Sequence, residues 1–412
     1  MANPTTDSLT TNNPTTNNLS TCPMTDLISL FGGHFMSELV NPYPTYGRMR
    51  REQPVTLVDL PMAPGYMVTR YADVLTVLKD ASLYSSCANA KGIGLVMGKT
   101  ILEMDGKEHT RHRNIVSMAF VPKALQGELP AVIASIAHEM IDRFAGAGHA
   151  DLVAQFTRTF PLRVIAHVIG VPIEDYDTFK RWSLDLIGFA DDPPKGFAAA
   201  AKLVDYLRPI VERRKAEARA DLLSTLTHAE VDGHRLTDEE VYSFLRLLLP
   251  AGSDTTYRLI GSTLLALLTH PDQLDEVRAD RSQLAWAIEE ALRWEAPVQF
   301  AARETTAPTT LAGVDLPEGA QMLTAIGSAN RDEQHYDDPD RFDIHRRRDD
   351  HVAFGFGRHF CLGSHLARLE ATTALNALFD RLPNLRLDRS AECMVVGLAF
   401  RSPNRLPVLF DG

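Results

Sequence analysis

The chain has 412 residues, 45% of them hydrophobic, which is enough for a large core and by length alone suggests two or three domains. Its formal net charge of −11 argues against nucleic acid as a partner. Cys22, Cys87, Cys361 and Cys393 lie far apart with no Cys-x-x-Cys pair, which excludes a disulfide framework and a cysteine zinc site and suits a reducing cytosol.

Met1 to about Thr21 is rich in Thr and Asn and has no charged region followed by an apolar one. Residues 1–22 therefore read as a disordered tail, not a signal peptide or an anchor. No apolar run reaches the ~18 residues of a membrane span. Asp26 to Arg51 reads as helix and turn, broken by Pro42 and Pro44. Val55–Val58 and Tyr66–Thr69 flank a Pro/Gly-rich connection, a hairpin signal, and Tyr71–Lys79 returns to helical spacing. Ser85–Thr100 is small and irregular, an ordinary surface loop on its face.

Asp105 with Glu108 three residues later predicts a capping box opening a helix. That helix carries His109 and Arg113 on one face, positive groups suited to gripping carboxylates. With Lys107, Arg111 and His112 nearby, a solvated basic face is the plainer reading of those residues alone. Ala131–Ile169 and Ala198–Thr227 read as amphipathic helices, and Asp191–Gly196 between them as a flexible break.

Glu239 to about Leu268 is the longest helical stretch. Pro250 removes one N–H within it and Gly252 is a poor helix former, so a local opening is expected beside Asp254, Thr255 and Thr256. An acid and an alcohol at such an opening suit controlled proton delivery. The alternative is one helix ending at Pro250 and another capped by Ser253 or Asp254. Ser282–Glu295 predicts a helix with Glu290 and Arg293 on one face, by itself an exposed ion pair worth little. Strands are expected over Val298–Ala301, Gln321–Ile326 and Met394–Leu398, with a tight turn between Leu311 and Asp315. Arg346–Arg348 reads as a solvated charge run.

Phe354-Gly355-Phe356-Gly357-Arg358-His359-Phe360-Cys361-Leu362-Gly363 is a glycine-broken loop that delivers a cysteine to a helix over Ser364–Phe379. Helix-end N–H groups predict a lowered thiol pKa and a thiolate. A thiolate presented this way suits an axial ligand to haem iron, whereas a lone cysteine is more commonly structural. The loop matches Phe-Gly-x-Gly-x-His-x-Cys-x-Gly without a gap and resembles the haem-binding signature of the cytochrome P450 haem-thiolate monooxygenases.

The resemblance extends back along the chain. His109-Thr110-Arg111-His112-Arg113 resembles the family's propionate-binding helix, Ala251-Gly252-Ser253-Asp254-Thr255 its oxygen-activation motif, and Glu290-Ala291-Leu292-Arg293 its Glu-x-x-Arg pair. It implies a mainly α fold with a small β region, one haem-thiolate unit over residues 23–412, and haem b between the oxygen-activation helix and the cysteine helix. Cys361 would ligate the iron. His109, Arg113, Arg303, Phe354, His359 and Gly363 would bind the cofactor. Asp254 and Thr255 would manage protons. Glu290 and Arg293 would lock onto Asn330–Asp343 in a structural role.

By the same resemblance, 85–100 covers the active site, Leu186–Gly196 forms a lid, and the turn after Met394–Leu398 points into the substrate cavity. Val298, Phe300, Val395, Val396 and Leu398 carry no charge, which favours a neutral apolar substrate. The implied reaction inserts one atom of O2 into that substrate, with electrons from a separate ferredoxin or flavodoxin-type donor. Arg111, His112 and Arg358 are candidate docking charges. A cytoplasmic monomer is expected, with neither membrane nor nucleic acid as partner. A peroxide-driven peroxygenase or decarboxylase and a non-catalytic haem gas-binding protein are the alternatives.

Overall fold

Asp238–Thr269, a 32-residue helix, runs through the middle of the molecule. Its start is fixed by a capping box. Thr237 Oγ1 accepts from Glu240 N at 3.3 Å, and the Glu240 carboxylate accepts from Thr237 N at 2.7 Å. From Leu259 to Leu268 every residue is buried, the signature of a helix enclosed on all sides. Around it pack Phe160–Ile169, Tyr176–Ile187, Leu284–Trp294 and Ser364–Arg381, with Leu129–Asp142 behind the last.

The computed structural model describes residues 25–26, 41–59, 64–118, 120–121, 125–172, 176–231 and 233–412. The tail expected over 1–22 lies outside them, as does 27–40 of the first expected helix.

A six-stranded sheet forms the β region, in the order Thr25–Asp26, Val55–Asp59, Pro64–Val68, Gln321–Ala325, Phe300–Thr305, Tyr84–Ser85. Val55–Asp59 and Pro64–Val68 pair antiparallel, as their hairpin pattern predicts, with Val55 opposite Val68. Pro64–Val68 then lies parallel to Gln321–Ala325, Tyr66 opposite Met322. One face of the sheet covers a second core of Val55, Val68, Val74, Met322, Tyr336 and Val352. The Leu311–Asp315 turn is present, with Ala312 at φ 48° and Gly313 at φ 79°.

Several expectations need correction. Pro42 and Pro44 begin the helix Tyr43–Glu52 where they were expected to break one, because a first turn has no use for the missing N–H. The expected helix over Ala131–Ile169 is split by left-handed Gly148 and the strand His149–Asp151. Ala198–Thr227 is likewise two helices, Pro193–Ala216 and Leu222–His228, the second capped by Asp221. Asp191–Gly196 is no flexible break, since Asp192 caps the Pro193 helix by accepting from Lys195 N at 3.2 Å. The long helix stays helical through Pro250. Gly252 serves close packing there, because a Cβ would stand 2.8 Å from Ile165 Cγ1.

Glu290 and Arg293 are buried and joined by two hydrogen bonds of 2.7 and 2.8 Å. Arg293 also donates to the carbonyls of Asn330, Pro339 and Arg341, and Asp343 N donates to Glu290. Arg346 joins this knot through Glu290 and the Asp337 carbonyl, so it is not part of a solvated run.

Candidate active site

A cavity of about 1500 Å3 separates the long helix from the start of the cysteine helix. Leu247, Leu248, Ala251 and Thr255 line one wall, and Phe354, Cys361 and Gly363 line the other. The loop's path depends on Gly355 and Gly357, both left-handed at φ 70° and 71°. Gly357 also lies against the helix Tyr71–Lys79, where a Cβ would be 3.0 Å from the Leu78 carbonyl oxygen. Cys361 N donates to Phe354 O at 2.8 Å, closing the loop on itself. A Cβ at Gly363 would meet nothing within 4 Å, so the backbone there leaves room for a flat partner.

The Cys361 sulfur opens onto the cavity and accepts from the N–H groups of Gly363 and Ser364. Burial nevertheless pushes the thiol up from its ordinary value, against those N–H groups and the charges of Arg113 and Arg368. The lowered pKa expected from the helix end alone is therefore not found, because desolvation outweighs it. A metal ion bonded to sulfur would reverse the balance, since coordination deprotonates a thiol outright.

Arginine and histidine side chains gather at one edge. His109 is buried with neither ring nitrogen partnered, and its ring centroid lies 4.2 Å from that of His359. Burial, then the charges of His359, Arg113 and Arg358, push His109 down to about 4. Arg303 is buried, with Nε unpartnered and Nη1 on its neighbour's carbonyl at 2.7 Å, and burial draws it down to about 10. Arg113 Nη2 donates to Phe360 O at 2.6 Å.

The nearby carboxylate, Asp105, is already engaged by Ser85 Oγ at 2.5 Å, Ser86 N at 3.0 Å and His359 Nε2 at 3.3 Å. The capping box expected of Asp105 is therefore absent, its side chain being drawn to the cysteine loop. Buried donors in excess of acceptors mark a seat for anionic groups. A flat apolar group carrying carboxylates at one edge and a metal above Cys361 meets these requirements, and haem b is such a group.

The acid and the alcohol of the long helix part company. Thr255 lines the cavity and donates to Ala251 O at 2.8 Å. Asp254 is buried away from that cavity, held by Arg258 Nε at 2.8 Å and Nη2 at 3.2 Å. Arg258 in turn reaches Ser402 Oγ at 3.3 Å and lies over the Tyr257 and Phe400 rings. The i, i+4 spacing of Asp254 and Arg258 was the available signal for this partnership.

Cys361, Phe354, Gly363, His359, Arg113, Arg303 and Thr255 thus share one cavity, while His109 reaches it through His359 and Asp254 does not line it. Of the residues expected to bear on substrate, Val298 and Phe300 line the cavity. Val395, Val396 and Leu398 do not, and Phe400 takes the place expected of that turn. Ile93, Leu95 and Met97 of the 85–100 segment and Ile187, Phe189 and Pro193 of the expected lid line it too, as does Phe197 just beyond that lid. Glu370, which sequence reasoning passed over, lines it from the cysteine helix. Burial alone pushes its carboxyl well above the ordinary range, which favours a neutral acid. His112 is buried against Glu240 and is no docking charge.

A family model for cytochrome P450 matches residues 175–385. Vitamin D(3) 25-hydroxylase of Pseudonocardia autotrophica is 37% identical over 93% of this chain and 96% of its own. P450BioI, solved with an acyl carrier protein bearing hexadec-9Z-enoic acid, superposes with a TM-score of 0.84 at 33% identity, over 90% of this chain and 99% of its own. CYP109E1 from Bacillus megaterium, solved with testosterone, gives 0.82 at 33% identity, over 90% and 100%.

Proposed function

This chain belongs to the cytochrome P450 family, whose members are haem b monooxygenases, and on that premise we propose that it hydroxylates a large apolar molecule. One atom of O2 enters a C–H bond and the other leaves as water, with two electrons and two protons consumed. The electrons come from a separate ferredoxin or flavodoxin-type protein.

The bound haem supplies the redox chemistry of O2, and the protein supplies position and electrostatics. Cys361 Sγ would ligate the iron. His109, Arg113, Arg303 and His359 would answer the carboxylates at the haem edge, and Phe354 and Gly363 would shape its seat. Thr255 Oγ1 has its proton committed to Ala251 O, so it presents lone pairs to the cavity, where it would accept a hydrogen bond from water or substrate. Asp254 supplies protons only by leaving Arg258 or through water, a gate that keeps bulk protons out.

The observation that carries this reading is a cysteine lining an apolar cavity at whose edge the buried nitrogens of His109 and Arg303 Nε lack hydrogen-bond partners. Carbon monoxide on the reduced protein tests it. A thiolate-type band is expected, lost in Cys361→Ser, and its absence in the wild type would overturn the assignment. The apolar lining and the lipid and steroid ligands of the two solved relatives support a sterol-like or long-chain substrate. Such compounds should shift the haem from low to high spin, and small charged ones should not.

Among the described residues no helix is long and apolar enough to cross a membrane. A cytoplasmic setting, a monomer and a single unit over 23–412 complete the proposal. Arg111 and the exposed Arg358 remain as docking charges for an acidic donor. Their replacement by Glu should slow reduction and flatten its salt dependence, and unchanged rates would dismiss them.

A further inference from the structure

We propose that His112, His234 and Glu240 bind one Zn(II) ion that joins three elements of the fold. His112 lies on the helix Gly106–Ser117, next to Arg113. His234 lies on the second strand of the hairpin Glu230–Val231/His234–Arg235, and Glu240 on the first turn of the long helix. One ligand atom from each stands within 4.8 Å of the other two.

The hydrogen bonds around His112 ask for a cation. Its Nδ1 is 3.0 Å from the Glu108 carbonyl oxygen, which can only accept. With the ring proton committed there, a neutral imidazole turns the lone pair of Nε2 toward Glu240 Oε1, 2.8 Å away. Two lone pairs at that distance repel unless a proton or a metal ion lies between them. An Nδ1–H on a backbone carbonyl is also the arrangement that orients metal-binding histidines.

Two further observations favour the metal over the proton. His234 Nε2 is buried with no hydrogen-bond partner and lies 3.9 Å from the same Glu240 oxygen. A proton shared by His112 and Glu240 leaves that nitrogen unanswered, whereas a metal ion takes all three. The Glu240 carboxylate is also already oriented, because its Oε2 accepts from Thr237 N and Oγ1 at 2.7 and 2.8 Å. Tetrahedral zinc with bonds of ~2.0–2.1 Å places donors about 3.3 Å apart. The 2.8 Å contact would open and the 3.9 Å contact close by roughly half an ångström each. Two imidazoles and one carboxylate suit zinc, with water in the fourth position.

The test uses haem-loaded enzyme stripped with a chelator and titrated with Zn(II). One ion per chain is expected. X-ray absorption at the zinc edge should show two imidazole nitrogens and a carboxylate oxygen at ~2.0–2.1 Å. Zinc should raise the thermal midpoint, since an ion bound only by the folded state stabilises it. His234→Ala, on the hairpin, should weaken binding by on the order of 100-fold and abolish the thermal gain with the haem spectrum unchanged. Equal zinc affinity in His234→Ala and the wild type, a zinc edge with other ligands, or no binding to the stripped wild type would each overturn the site. The last result would leave a proton shared between His112 and Glu240.

Discussion

Glu290 and Asp254 each face an arginine through two hydrogen bonds, and each is almost wholly buried, at 3% and 4% exposure. Around Glu290 the bonding is saturated. Arg293 satisfies three backbone carbonyls, and Glu290 also takes Asp343 N and Arg346. Around Asp254 the further hydrogen bond is one of 3.3 Å from Arg258 to Ser402, with aromatic rings on the guanidinium. The same ion pair is thus held by many further partners in one region and by few in the other. What differs is the number of additional partners that must break before a carboxylate can move.

The sharpest way to break this contrast is Arg293→Ala. Removing the Arg293 guanidinium leaves Glu290 with only Asp343 N and Arg346 and strips the donor from three backbone carbonyls, which should cost ~3–5 kcal/mol, a large part of a domain's stability, so little haem-loaded protein should accumulate. Normal yield with an intact carbon monoxide band would show that the knot is not structural. Asp254→Asn should do the reverse. Haem content should survive while reductase-driven turnover falls roughly 100-fold, as expected for a group that handles protons. Unaltered turnover would mean that Asp254 is also mere architecture.

Thr255→Ala should produce a smaller change, roughly tenfold, in product formed per reducing equivalent. Its spin-state titration with a bound apolar ligand should be unchanged, and a ratio equal to that of the wild type would remove Thr255 from the proton path. The last effect is confined to acid. Burial opposes the charge on Glu289, but hydrogen bonds from Arg368 and His351 overcome it and hold the carboxyl at about 2. A lowered folded-state value gives stability that is present above the ordinary carboxylate pKa and is lost as pH falls from about 4.5 toward 2. That loss should reach ~2–3 kcal/mol in the wild type and be largely missing in Glu289→Gln, read from urea midpoints at either end of the interval.

Legibility followed the distance over which each feature is encoded. The cysteine loop was readable because its glycines, histidine and cysteine are contiguous and their backbone demands are local. The Val55–Val68 hairpin and the Ala312–Gly313 turn were readable for the same reason. Asp105 was misassigned because a side chain at the N-cap position had a rival offer from Ser85 and His359, the latter 254 residues away. His112 looked like a surface charge because Glu240, 128 residues on, cannot be seen from its neighbours. The thiol of Cys361 was misjudged because local N–H groups are visible in a sequence and the depth of burial is not.

Gly357, pressed against the Leu78 carbonyl, ties the cysteine loop to a helix formed some 280 residues earlier in the chain. The parallel pairing of Pro64–Val68 with Gln321–Ala325 makes the same early segment wait for a late one. The cysteine loop is among the last segments to be synthesised, so a chain ending before Cys361 would lack one whole wall of the cavity, the loop and the helix Ser364–Arg381 together.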